Sequence, residues 1–335
     1  FSFNIDNKFK IKNIIIDSDI YINSSEYKKP IILNDYLQNK DEIIQIKDHK
    51  AKLVYKKNNL SINGFGKIKL EKKFDEIEYK INFKNKNLNL ISSLNLSELN
   101  LNKQEYLKSF FPMLDEVISL KDQQIKINYN SKGLHIKGEG EIKLANEFEQ
   151  ISFDVLKTKD EFQFDTKIDL EKTLFNIDFL NFKKKDDLKT SIAILGSYNS
   201  NKNINLKKTS IINKDNKMML EDLLINNTNQ IIKFKKLDLD FFDNQNKKNK
   251  ILLTQINEKN YKIDGSIFNA NKLIYNLLKS KKKENSKLFK NDLNLILNLK
   301  EVYLDDKSII KNFRGRLSIK DNKVFFADIL ADFNK

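Results

Sequence analysis

The chain has no cysteine and no tryptophan in its 335 residues, and only two prolines and two histidines. Without cysteine there is neither a disulfide framework nor a thiolate metal site. That fits a cytosol or an envelope compartment and narrows the setting no further. Two prolines and eight glycines exclude a collagen-like chain, and 40% hydrophobic content is enough for a core. Arginine is almost missing too. Arg314 and Arg316 are the only two, so the formal charge of +15 is carried by lysine. Lysine, asparagine and isoleucine are inflated together, as an AT-biased genome produces. A surface that reads phosphates recruits arginine for bidentate contacts, so this charge does not point to nucleic acid. No run of about 18 apolar residues exists, so no helix of this sequence spans a bilayer. The first residue is Phe1, which leads us to expect a fragment or a processed chain, with any signal peptide or anchor outside it.

The search for chemistry is equally sparse. His49 and His135 are isolated on lysine-rich strands and read as solvated surface residues. The acidic pairs Asp115-Glu116, Asp186-Asp187 and Asp305-Asp306 read as solvated charges at turns and strand ends. No catalytic residue, metal ligand or cofactor site is assigned, and an enzyme is not expected. Gly64-Phe65-Gly66 and Gly138-Glu139-Gly140 lack the third glycine and the helix of a nucleotide loop. They read instead as strand glycines that leave room for a backbone, a bulky neighbour or a bound chain.

What is present is a repeat. A stretch beginning at Asp41 recurs 74 residues later without a gap, most clearly over residues 41–170. Ile62, Gly64, Gly66, Ile68, Leu70, Ile77, Tyr79, Ile81 and Phe83 of the first copy fall mostly on alternate positions. In the second copy Ile136, Gly138, Gly140, Ile142, Leu144, Ile151, Phe153 and Val155 match the first eight of these in turn. Self-similarity at a fixed period indicates stacked or extended units, because one unit cannot bury its apolar face alone.

Period-two alternation runs through the rest, with strands expected around Ile77, Ile125, Phe162, Leu237 and Leu293. Polar clusters such as Lys57-Asn58-Asn59 mark the turns. The reading is all-β with a few short helices: an elongated, curled antiparallel sheet, a repeating β-groove with an apolar interior. Residues 1–180 are expected to hold two groove repeats, and 181–335 a degenerate continuation. Two or three short helices are expected: one starting at Asn102 and reaching toward Leu114, bent or ended by Pro112, one over 270–279 before a charged loop at 279–290, and a third candidate near Asn34–Leu37.

An apolar sheet face needs cover from a second sheet layer, a bilayer or a ligand. A membrane barrel also alternates apolar and polar residues, but here tryptophan is absent and tyrosines form no paired girdles. An apolar channel accounts for more, since each buried methylene of an acyl chain contributes about 0.8 kcal/mol.

The run Tyr261-Lys262-Ile263-Asp264-Gly265-Ser266-Ile267-Phe268-Asn269-Ala270, with Leu273-Ile274 and Leu277-Leu278, resembles a segment of the AsmA-like superfamily. These are envelope proteins of the YhdP and TamB type. The strands at Leu293–Leu299, Phe313–Ile319 and Val324–Ala327 look like a continuation of that pattern, so the resemblance covers about 75 residues. It implies a periplasmic protein anchored in the inner membrane through a segment outside this chain. It also implies a non-enzymatic, bridge-like carrier that moves phospholipid between inner and outer membranes. Expected partners are phospholipid acyl chains and outer-membrane or periplasmic proteins, with no nucleic acid. The seventeen repeat residues named above are the expected groove lining. The alternative is a structural or scaffolding β-repeat protein of the envelope with a closed core.

Overall fold

The structure, a computed structural model, describes residues 1–29, 42–102, 105–186, 188–199, 203–228, 230–272, 291–305, 308–320 and 323–333. They are nearly all β. Twenty strands belong to one sheet, mostly antiparallel and not closed, and two more form a small separate hairpin. The chain divides into two compact units. One is Phe1–Glu105 with Leu114–Asp160, the other Tyr106–Met113 with Glu161–Lys335.

The first unit contains β1 (Ser2–Ile5), β2 (Ile11–Lys28), β3 (Ile43–Lys56), β4 (Asn59–Lys69) and β5 (Phe74–Lys84). It continues with β6 (Asn87–Asn102), β7 (Val117–Asn130), β8 (Gly133–Lys143) and β9 (Phe148–Lys157). Each strand pairs antiparallel with the next. Tight polar turns enforce this order. Lys57-Asn58 and Asn85-Lys86 both have positive φ at the two central positions, the hairpin geometry whose twist suits the flanking strands.

The second unit contains β10 (Glu161–Leu170), the hairpin β11 (Asn176–Ile177) and β12 (Phe182–Lys183), β13 (Thr190–Asn199), β14 (Ile204–Ile212) and β15 (Lys217–Ile225). Then come β16 (Ile231–Lys233), β17 (Lys236–Phe242), β18 (Lys248–Gln255), β19 (Asn260–Asn269), β20 (Leu293–Tyr303), β21 (Ile309–Lys320) and β22 (Lys323–Phe333). Antiparallel pairing again runs in order, with one correction to the expected meander: β19 and β20 are parallel. A parallel pair needs a long crossover. The expected helix over 270–279 falls there. Asn271 and Lys272 are helical, while the rest of it and the charged loop lie outside the described residues.

Two other helix expectations fare differently. The one near Asn34–Leu37 lies outside the described residues. The one from Asn102 to Leu114 is corrected: Asn102 belongs to β6 and pairs with Val117, and only a 3-10 turn, Glu105–Ser109, forms. Pro112 removes a donor and disfavours helical φ/ψ at Phe111, so the turn cannot extend. Phe111 is buried instead, its ring 5.5 Å from that of Phe175. From there an aromatic chain runs through Phe182 to Phe241. Beside it a buried polar knot is fully hydrogen-bonded, as burial requires. Asn269 donates to Asp243 at 2.6 Å, and its backbone N–H donates to Asn249 at 2.8 Å.

Candidate functional site

Strand register decides which side chains share a face, because residues directly opposite in a ladder lie on the same side. In the first unit this builds long rows. Ile20, Ala51, Gly64, Tyr79, Ser92, Ile127, Ile136 and Val155 stand opposite one another across β2 to β9. Beside them run Ile77, Leu94, Ile125, Gly138 and Phe153. At about 4.8 Å per strand, the eight-strand row is about 34 Å long. Most of these side chains are half-buried. The register places fifteen of the seventeen residues expected to line a groove on this face. Leu70 and Leu144 fall just beyond the ends of β4 and β8.

A feature that alternation alone misses keeps this face apolar along the full strand length. In β3 the apolar positions run Ile44, Ile46, then His49, Ala51, Leu53, Tyr55, changing phase by one at Asp48. In β7 they run Ile118, Leu120, then Gln123, Ile125, Ile127, Tyr129, changing phase at Asp122. Asp48 has φ 56° and Asp122 φ 50°, and the ladder to the next strand slips at each. These are β-bulges. An extra residue turns the strand so that both apolar runs reach one side. Aspartate and asparagine tolerate the left-handed conformation better than most residues. Asn13 and Asn312 mark similar slips in β2 and β21. The sequence signal was the one-residue phase change itself.

The bulge explains a second correction. His49 was expected on the surface but is 6% exposed. Its Nε2 lies 3.0 Å from the Lys67 carbonyl and its Nδ1 3.4 Å from the Tyr79 hydroxyl. Gln123, its counterpart in the second copy, is 1% exposed and donates to the Glu141 carbonyl at 2.8 Å. His135 is at the surface as expected, 2.6 Å from Asp154. Burial pushes the Asp154 carboxyl up, but Lys137 and His135 outweigh it and hold the group below the ordinary range.

Of the three occupants expected for the space the glycines leave, a bulky neighbour is the one found. A Cβ on Gly64 would lie 2.6 Å from the Tyr79 ring, and one on Gly138 would overlap Phe153. Gly66 and Gly140 are covered by His49 and Gln123 in the same way. Each glycine accommodates a side chain of the neighbouring strand. Burial under these neighbours also pushes the Tyr79 hydroxyl above the usual tyrosine range, with Tyr27 adding to the effect.

In the second unit apolar residues pack on one another. Leu223, Phe234, Tyr261 and Leu293 form a buried cluster, against which Leu206, Leu220, Leu253, Leu295 and Ile319 pack. Burial raises the Tyr261 hydroxyl, although the Phe234 N–H beside it works in the other direction.

A pocket of about 900 Å³ lies in the first unit, but against the opposite face. Eleven of its sixteen lining residues, including Tyr21, Lys50, Phe65, Glu78, Ser93 and Lys126, belong to the charged side by register. Among the described residues no group of three or more His, Cys, Asp or Glu is placed to hold a metal, and no helix is long and apolar enough to cross a membrane. No protein-family model, no curated protein and no solved structure matches this chain.

Proposed function

We propose that the apolar face binds acyl chains, and that the protein is a non-enzymatic carrier moving phospholipid along it. One observation carries this reading: an apolar face crosses eight strands of the first unit, and facing pairs on it such as Ile62 with Ile81 and Ile127 with Ile136 are only half-buried. A face of that size needs an apolar cover. An acyl chain laid along it gains about 0.8 kcal/mol per methylene without specific polar contacts. The curl of the sheet into a groove belongs to this proposal. So do the bridge between two membranes, the periplasmic location and the inner-membrane anchor, which rest on the AsmA-like resemblance near residues 261–278.

The test is lipid analysis of the gently purified protein. Ile62 and Ile81 stand opposite each other on β4 and β5 and are half-buried, so a charge there is tolerated by the fold. Ile142 is 7% exposed and suits this purpose less, since a charge at that depth threatens folding. Reproducible co-purified phospholipid, reduced several-fold in Ile62→Asp and Ile81→Asp, is expected. A lipid-free wild type, or variants that carry lipid normally, overturns the proposal.

A second reading, a structural β-protein with a closed core, draws on the self-packed cluster of the second unit. It requires the apolar face of the first unit to be covered by protein, which crosslinking at Ile62 would detect.

A further inference from the structure

Eleven of the pocket's lining residues belong to the charged face, while Ile20, Ala51, Gly64, Tyr79 and Ser92 of the apolar row also border it, and its composition is out of keeping with its surroundings. Residues on that side of the strands are mostly lysine, asparagine and acids, yet Tyr21, Phe65 and Ile91 stand there 60%, 55% and 48% exposed. They sit on β2, β4 and β6. With strands about 4.8 Å apart, these three apolar side chains are spread over about 19 Å of the pocket. Register sets lysines between and beside them. Tyr21 faces Lys50, Lys50 faces Phe65, and Lys80 faces Ile91. Lys52 and Lys126 complete the rim, against two carboxylates, Asp19 and Glu78.

The lysines are not neutralised. Lys52 lies 3.4 Å from Asp17, whereas Lys50, Lys80 and Lys126 form no ion pair among the described residues. The pocket thus carries an excess of positive charge interleaved with three exposed apolar side chains. The volume falls in the range of ordinary small-molecule sites, about 300–1,000 Å³.

We propose that this pocket binds a single-tailed anionic amphiphile, its tail across Tyr21, Phe65 and Ile91 and its head group among Lys50, Lys80 and Lys126. Single-stranded nucleic acid fits less well. The first unit contains no arginine, and its two exposed rings here are two strands apart, about 10 Å, which is wider than successive stacked bases require.

The experiment titrates the full chain with laurate by equilibrium dialysis at low and high salt, with oligodeoxythymidylate as a rival probe. Phe65→Ser, the triple variant Lys50→Gln/Lys80→Gln/Lys126→Gln, and Ile81→Asp on the other face are compared with wild type. These side chains of the charged face are exposed or at the rim, so the variants keep the fold, which circular dichroism verifies. Phe65→Ser is expected to weaken laurate roughly tenfold, and the triple variant to weaken it and flatten its salt dependence. Ile81→Asp is expected to leave it unchanged. The proposal is overturned by a wild type that does not bind laurate, by affinity indifferent to Phe65 and the three lysines, or by tighter binding of the oligonucleotide. Loss of laurate in Ile81→Asp alone would place the ligand on the carrier face, overturning this site while leaving the carrier proposal standing.

Discussion

The ring of Phe153 lying over Gly138 can be tested by a double-mutant cycle. Gly138 on β8 stands opposite Phe153 on β9, and a Cβ at Gly138 would overlap that ring. Gly138→Ala then carries two opposing effects. Replacing glycine in a strand recovers about 0.5–1 kcal/mol of chain entropy. Pushing the ring aside costs about 1–3 kcal/mol, the usual range for overpacking. The ring is half-buried and has some freedom to move, so the net loss is about 0.5–2 kcal/mol. For a unit of about 150 residues this lowers Tm by about 1–8 °C. In a Phe153→Ala background the clash disappears and only the entropy gain remains, so the same substitution becomes stabilising by about 0.5–1 kcal/mol. Thermal melts of the four proteins measure a coupling of about 1–3 kcal/mol. Stabilisation by Gly138→Ala with Phe153 present would refute the ring-over-glycine packing. An equal penalty in both backgrounds would assign the clash to backbone instead. The Gly64–Tyr79 pair of the first copy should give the same sign.

Three further outcomes follow from the same structure. Asp122→Val should cost about 1–2 kcal/mol because the bulge needs a left-handed residue, while Asp122→Gly should be nearly neutral; chemical denaturation of both checks this. Phe182 is 1% exposed and meets Phe241 edge-on at 5.8 Å, so Phe182→Ala should destabilise by about 3–5 kcal/mol, read from denaturation midpoints. Lys248, against a smaller opposing effect of burial, and then Lys250 hold the Asp240 carboxyl below its ordinary range. A depressed carboxylate stabilises the fold above its unfolded pKa of about 3.9, and loses that contribution as pH falls through the lower folded value. Asp240→Asn should therefore melt below wild type at pH 6, with the gap closing below about pH 4. A gap that persists at pH 2 would mean the charge is not its source.

Much of the fold was legible in the sequence because a strand's side-chain period is two, so apolar positions name the face directly. Ile77, Tyr79 and Ile81 alternate without interruption and lie in β5 as read, with the short polar turns leaving little choice of neighbour. The parallel pairing of β19 with β20 was not legible, since alternation is the same in either direction and only the connection distinguishes them. The Asn102–Leu114 helix failed because helical spacing of Leu107, Phe110 and Phe111 also suits a 3-10 turn with its rings packed sideways onto Phe175.

His49 was misread, and the occupant of the glycine space was left open among three, for a common reason. Each residue was judged by its own type, whereas its environment is set by the neighbouring strand. Asp48 turns His49 inward, and Gly66 makes the space into which the imidazole fits. Asp122, Gln123 and Gly140 repeat the arrangement 74 residues on. Tyr79 and Phe153 likewise fill the space above Gly64 and Gly138. The glycines in register are therefore one half of a between-strand packing device, and the other half is a bulky residue that sequence alignment of the two copies lists without explaining. Room for the proposed acyl chain would have to come from the breadth of the half-buried rows, such as Ile62 with Ile81 and Ile127 with Ile136, because the glycine positions are already occupied.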